Sequence, residues 1–323
     1  LEEKMENRDT LFKCKSGSHL YGTNTPESDE DFVSVFMPKA VDVLGLQKME
    51  YADESTKSSS DNRRNTKEDV DSINYSLPRY IHLLLHGNPN LTETLFARKD
   101  VIIESSSIYD EILSMRNDII SNRVLHSFSG FAYAQFKKLT TKSNRYTSLE
   151  KGLKFIESKY AEYIKENKVY PLTQKEGEEL SRIVEYYKGQ KNNVEPFHKG
   201  MDIRMIYEKI KHEYENYGWR VKTDTFLELG IDCKFASHAI RLYVEGTELM
   251  KTGKIEYPLK EKDLILDIKY GKYDLKAITE LYNEYENKAK EAAKISILRK
   301  APDFNKVNGW LIKTLKEAIS KEE

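Results

Sequence analysis

The chain has 323 residues, 39% of them hydrophobic and 33% charged, which describes a soluble globular protein rich in surface helix, of two domains or one large domain with additions. No apolar run approaches the ~20 residues a membrane span needs, and the charged N-terminal LEEKMENRD lacks the apolar core of a signal peptide. The net charge of −1 gives no global sign of nucleic-acid binding, so any basic surface is local, and two distant cysteines in apolar contexts, Cys14 and Cys233, argue for a reducing, cytoplasmic compartment and against a disulfide framework or a thiolate zinc site.

The chain begins with Leu rather than Met, which leaves the true N-terminus open. Its first ordered signal is an apolar, strand-like run (Leu11, Phe12, Cys14), followed directly by Gly17 and Ser18. Asp29 and Asp31 then lead into a second strand-like run, Phe32 to Met37. In an extended chain residues i and i+2 point to the same side, so these two carboxylates stand side by side. Carboxylates this close repel unless a cation sits between them, and such hard oxygen ligands suit Mg²⁺. A glycine turn lets backbone N–H groups approach phosphate oxygens. Phosphate-holding turn and metal-holding carboxylate pair together are the equipment for nucleotidyl transfer. A bare Asp-x-Asp also fits a charged turn before a strand; the preceding Gly-Ser at this spacing favours the site. His19 falls beside the turn.

Glu50 to Glu68 is polar and Ser-rich and reads as a mobile loop inside the first domain. Order returns at Val70 with an alternating strand that puts Asp71, Ile73 and Tyr75 on one face. Asp69 shares that face; Asp71 is preferred as a site residue because it lies within the strand. Ser76 and Pro78 open a short helix ended by Gly87, and Asn88-Pro89-Asn90 turns the chain into a second helical piece containing Glu93, Leu95 and Phe96.

From Ile108 the pattern is almost wholly helical, over about 108–140, 148–168, 173–190, 200–216, 232–252, 273–298 and 304–320. In 232–252, Lys234, His238, Arg241, Glu245 and Glu248 fall within an arc of roughly 80° at 100° per residue. Apolar residues fill most of the remaining circumference. A mostly buried helix with a narrow charged stripe predicts that the stripe lines a cleft, where Lys234, His238 and Arg241 hold successive phosphates. The alternative is a solvated stripe with internal Arg–Glu pairs. Residues 137–154 carry six basic side chains, among them Lys137, Lys138, Lys142 and Arg145, against Glu150 alone, a local patch suited to a phosphate backbone or merely to exposed helix ends. The many tyrosines of this half are read as core rather than base-stacking platforms.

Gly17-Ser18 followed by Asp29-x-Asp31 resembles the DNA polymerase β-type nucleotidyltransferase superfamily. The ordered set Gly17, Ser18, Asp29, Asp31, Asp71, Tyr75-Ser76-Leu77, Gly87-Asn88-Pro89, Glu93, Lys234, His238, Arg241 and Thr252-Gly253 resembles, within it, the nucleotidyltransferase family of bacteria and tailed phages associated with RNA repair. Pro78-Arg79-Tyr80 departs from the basic pair usual there. The resemblance implies an α+β fold: a small catalytic domain with a mixed sheet and helices, residues 1–105, then a mainly α-helical domain, 106–323, closing the cleft and binding nucleotide or acceptor. It implies an enzyme moving an NMP from an NTP to an acceptor hydroxyl, an RNA 3′ end by preference. Asp29 and Asp31 would bridge two Mg²⁺ (or Mn²⁺) ions, with Asp71 on the metal that activates the acceptor. Gly17, Ser18, Lys234, His238 and Arg241 would hold the triphosphate. Transfer to a small molecule or a protein hydroxyl, and a catalytically silent nucleotide- or RNA-binding module, are the rival readings.

Overall fold

The computed structural model describes residues 8–26, 28–46, 48–56, 69–184, 197–221 and 229–321, without the side chains of 140–143 and 216–221. Leu11, Phe12 and Cys14, all buried, draw Thr10–Lys15 into strand β1. It leads into a one-turn helix, α1, Gly17–Tyr21. Strand β2, Glu30–Phe36, runs back antiparallel to β1. A short helix α2, Ala40–Leu44, and a three-residue edge strand β3, Tyr51–Asp53, precede β4, Val70–Ser76. Strand β5 is Ile102–Ser105.

The sheet order is β3-β4-β2-β1-β5. Only β2 and β4 are parallel among these pairs, and they run in strict register from Glu30↔Val70 to Phe36↔Ser76. Parallel pairing needs a crossover connection, here the 37–69 segment. Its consequence for function is direct: both strands begin at the same end of the sheet, and Asp31 lies opposite Asp71. Tyr51–Asp53 corrects the start of the expected polar loop, being paired to β4 through Tyr51↔Tyr75 and Asp53↔Ile73. Only Ala52 of the three is buried; backbone pairing rather than side-chain burial makes this strand, so the hydrophobic pattern did not reveal it. Residues 57–68 of that loop lie outside the described residues.

The helices follow as α3 (Leu77–Leu85), α4 (Pro89–Thr92), a 3₁₀ turn at Glu93–Phe96, α5 (Ser107–Ser114), α6 (Arg116–Ile119), α7 (Arg123–Lys159), α8 (Ala161–Lys165), α9 (Gln174–Ile183), α10 (Ile203–Val221), α11 (Cys233–Thr252), α12 (Lys262–Lys269), α13 (Leu275–Lys294) and α14 (Phe304–Ile319). The fold is therefore α+β, as expected, with the sheet first and helices after it. The chain divides into two compact units. One takes the described residues of Leu1–Asp61, Asn65–Phe136 and Ala236–Glu323, the other those of Lys137–Phe235. The domain boundary expected at residue 105 falls inside the first unit. Helices from Ala236 onward belong with the sheet because α11 is apolar on most sides: Ala236, Ala239, Ile240, Leu242 and Tyr243 are all buried. Tyr243 hydrogen-bonds Tyr282 of α13 at 3.0 Å, and Gly246 lies against Phe128 of α7.

The second unit has its own core, with Leu149, Ile156, Leu180, Phe197, Ile206 and Ile210 among its buried residues. No helix among the described residues is long and apolar enough to cross a membrane.

Candidate active site

Parallel register brings Asp31 of β2 beside Asp71 of β4, and Asp29, two residues before Asp31, joins them. One carboxylate oxygen from each of the three lies within 4.8 Å of the others, and all three residues are half-buried. Among the described residues this is the one group of its kind with metal-holding spacing. Asp69, the alternative on the same strand face, is buried and stands outside this group. Three hard carboxylate donors facing one point suit a divalent cation of the Mg²⁺ or Mn²⁺ type and leave no role for soft ligands.

The Gly-Ser turn sits directly on this cluster. Ser16 donates its N–H to the Asp31 carbonyl at 2.8 Å, so the backbone entering α1 is tied to β2. Gly17 follows with φ +59°, and a Cβ placed there would lie 2.2 Å from Asp31 Oδ2. Only glycine gives the carboxylate this space. Ser18 accepts from the N–H groups of Gly22 and Thr23 through its carbonyl, closing the helix one turn later. Beside it is an open hollow of about 490 Å³ lined by His19, Asn24, Thr25, Pro26, Ser28 and Glu30. The His19 Nε2 atom is buried without a hydrogen-bond partner among the described residues.

Arg98, which the sequence did not single out, lies next to the Gly-Ser helix. It follows the 3₁₀ turn, pairs with Asp100 at 3.2 Å and donates from Nη2 to the His19 carbonyl at 3.2 Å. No local pattern marks it, since only the fold carries that loop to α1.

The stripe on α11 is not one surface. Lys234 is exposed and His238 half-buried, whereas Arg241 and Glu245 are buried. Arg241 Nη1 donates to Glu245 at 2.8 and 3.0 Å and to Glu93 at 3.2 Å. Its Nη1 is thus committed to two carboxylates within the core, and the residue is only 5% exposed, so it does not present a guanidinium on a cleft surface as the stripe reading expected. The internal Arg–Glu pair of the alternative reading is present, but in the core rather than in solvent. The helical period located the stripe; what it could not supply was Glu93, 148 residues away in the chain.

The basic segment is partly engaged within its own unit. Arg145 pairs with Glu213 at 2.9 Å, and Lys138 lies over the Phe235 ring at 5.7 Å. Lys137 and Lys138 are exposed; the Lys142 side chain lies outside the described residues.

A mixed sheet that sets an aspartate cluster against a Gly-Ser turn, with helices following, is the arrangement of a polymerase β-type domain. The chain belongs to the RNA repair pathway DNA polymerase beta family (RlaP), which it matches over residues 2–321. It is also similar to an uncharacterized 38.9 kDa protein from the nrdC–mobD intergenic region of Enterobacteria phage T4, 26% identical over 307 residues, covering 88% of this chain and 89% of that protein. Membership of this family supports a nucleotidyltransferase-like role and a phage or bacterial setting.

Proposed function

We propose that the protein is a metal-dependent nucleotidyltransferase that moves an NMP from an NTP to an acceptor hydroxyl, with an RNA 3′ end as the acceptor. The observation that carries this reading is the convergence of Asp29, Asp31 and Asp71 within 4.8 Å beside the Gly17–Ser18 turn. In the reaction the acceptor oxygen forms a bond to the α-phosphorus, the bond from that phosphorus to the β-phosphate bridging oxygen breaks, and pyrophosphate leaves with the electron pair. Asp29, Asp31 and Asp71 would hold the divalent ions, whose chemistry when bound is to neutralise charge on the phosphoryl oxygens and ease deprotonation of the acceptor. Asp71 would take the acceptor proton, and the N–H groups at Gly17 and Ser18 would orient the triphosphate. Lys234 and His238 are kept as candidate phosphate contacts, and Lys137, Lys138, Lys142 and Arg145 as candidate acceptor contacts. RNA is favoured over a small molecule or a protein hydroxyl by the family's RNA-repair description and by the local basic segment.

The test is incubation with each NTP labelled at the α-phosphate, Mg²⁺ or Mn²⁺, and RNA, protein and small-molecule acceptors. Label should enter RNA, and Asp29→Asn and Asp31→Asn should each lower the rate at least about a hundredfold, the scale for losing a charge-stabilising group. Both variants should be at least as heat-stable as wild type in chelator, since removing one carboxylate relieves repulsion. Label entering only a protein or a small molecule would replace the acceptor; transfer surviving both substitutions would move the chemistry elsewhere.

A further inference from the structure

The far end of α1 is held as firmly as its start. Tyr21, three residues after Ser18, places its hydroxyl 2.8 and 2.9 Å from the two oxygens of Glu93, to which it donates. Arg241 lies over the Tyr21 ring with Cζ 4.0 Å from the centroid, and donates to both Glu93 and Glu245. Tyr257 donates to Glu245 at 3.1 Å, and Leu259 gives its N–H to the Tyr21 carbonyl at 3.1 Å. The two glutamates and Arg241 are all within the core, at 2%, 0% and 5% exposure.

Stability alone does not call for this construction. Burying charge is costly, and apolar side chains of similar volume are often as stabilising as a buried ion pair. Here two carboxylates meet one guanidinium, an excess of negative charge in a dry site. Burial accordingly pushes both glutamates above the ordinary value, against the pull of Arg241 and the tyrosines. What the cluster supplies is fixed geometry. The guanidinium lies over the Tyr21 ring and reaches both carboxylates through Nη1, one of them the carboxylate that takes the Tyr21 hydroxyl, so ring and hydroxyl are held together. The compact ammonium of Lys does not cover a ring face while reaching both carboxylates. The ring belongs to the same helical turn as Ser18, whose spacing of three residues puts them on one face.

We infer that Arg241, acting through Glu93 and Tyr21, is a positioning residue that sets the Gly17–Ser18 turn against Asp31. It influences the triphosphate through α1 and does not touch it. This rests on the triphosphate-holding role proposed for that turn.

The test compares wild type with Tyr21→Phe, Arg241→Lys and the double variant. It measures the affinity of a non-hydrolysable ATP analogue and, separately, of Mn²⁺ without nucleotide. Tyr21→Phe keeps the ring and its packing, so it covers the case in which Arg241→Lys does not fold. Each single variant should weaken analogue binding about tenfold, within what a small misplacement costs, and leave Mn²⁺ affinity unchanged. The double variant should be no worse than the weaker single, because both act through one device. Unaltered analogue binding in Tyr21→Phe would overturn the inference, as would parallel loss of Mn²⁺, which would make the cluster plain scaffolding. Wild type that binds Mn²⁺ but no analogue would instead sink the triphosphate reading, and the inference with it.

Discussion

At Gly17 two constraints meet in one residue. Its φ of +59° lies in the left-handed region, and its missing side chain leaves room for the Asp31 carboxylate. The sequence points to a glycine approached by phosphate; the structure adds that the same glycine is approached by the Asp31 carboxylate. An alanine would incur about 1–2 kcal/mol for its conformation alone. Its Cβ would also drive Asp31 Oδ2 from a position 2.2 Å away. Gly17→Ala should therefore lower unfolding free energy in urea by at least that amount and weaken Mn²⁺ binding together with it. Asp31 is the residue displaced, so the two losses should appear in one variant. A destabilised Gly17→Ala protein with wild-type Mn²⁺ affinity would show that Asp31 finds its place without the glycine.

At the scale of single elements, α9 shows how local sequence fixes a helix start. Thr173 and Glu176 form a reciprocal capping box: the Glu176 N–H reaches Thr173 Oγ1 at 3.3 Å, and Glu176 Oε2 accepts from the Thr173 N–H at 2.9 Å. Tyr160 and Tyr170 each donate to the other carboxylate oxygen at 3.0 Å. Partial burial raises the Glu176 pKa, but the bonds from Thr173, Tyr160 and Tyr170 outweigh it and bring it down to about 2. A carboxyl lowered in the folded state contributes stability above its ordinary value of 4.5 and loses it as pH falls toward about 2. Glu176→Gln should thus be less stable than wild type at pH 7 by about 1 kcal/mol or somewhat more, the scale of a lost cap. The gap should close on acidification, as read from thermal midpoints across pH; a gap constant down to pH 2 would assign the loss to shape rather than charge. Cap signals of this kind made other elements legible too, as Ser76, Pro78 and Gly87 framed α3. Where such signals were lacking, reading failed. The expected break between 140 and 148 is absent because α7 runs unbroken from Arg123 to Lys159, with neither Pro nor Gly in the intervening TKSNRYT. The expected helix over 108–140 is instead interrupted around Met115 to Asn122, where Asn122 N–H turns to the Arg299 carbonyl at 2.8 Å. That contact spans most of the chain and has no local trace. The aspartates were legible because a strand's period is local; Arg98 and the partners of Arg241 were not, because only tertiary packing assembles them.

Over the whole molecule, the two compact units carry carboxylates of opposite linkage. Glu176, in the unit of Lys137–Phe235, favours folding above the ordinary carboxylate pKa. Glu93, in the unit that holds the sheet, does the reverse. Burial raises its pKa more than Arg241 and Tyr21 lower it, with Glu245 adding to the rise. A carboxyl raised in the folded state keeps its proton after the unfolded chain has lost it. Its contribution is complete below 4.5 and is lost as pH climbs above that value. The titration belongs to the Glu93–Glu245 pair rather than to one member. Replacing Glu93 by Gln makes the neutral form permanent and leaves Glu245 alone with Arg241, one carboxylate to one guanidinium. The variant's thermal midpoint should then decline less than that of wild type as pH rises above 4.5, while Glu176→Gln changes only the acid limb. If heating resolves two transitions, each substitution should move the transition of its own unit. Calorimetry of wild type and both variants across pH reads this directly. A Glu93→Gln curve parallel to wild type on the alkaline side would mean that the buried cluster carries no extra proton, and that Arg241 balances both carboxylates in their charged form.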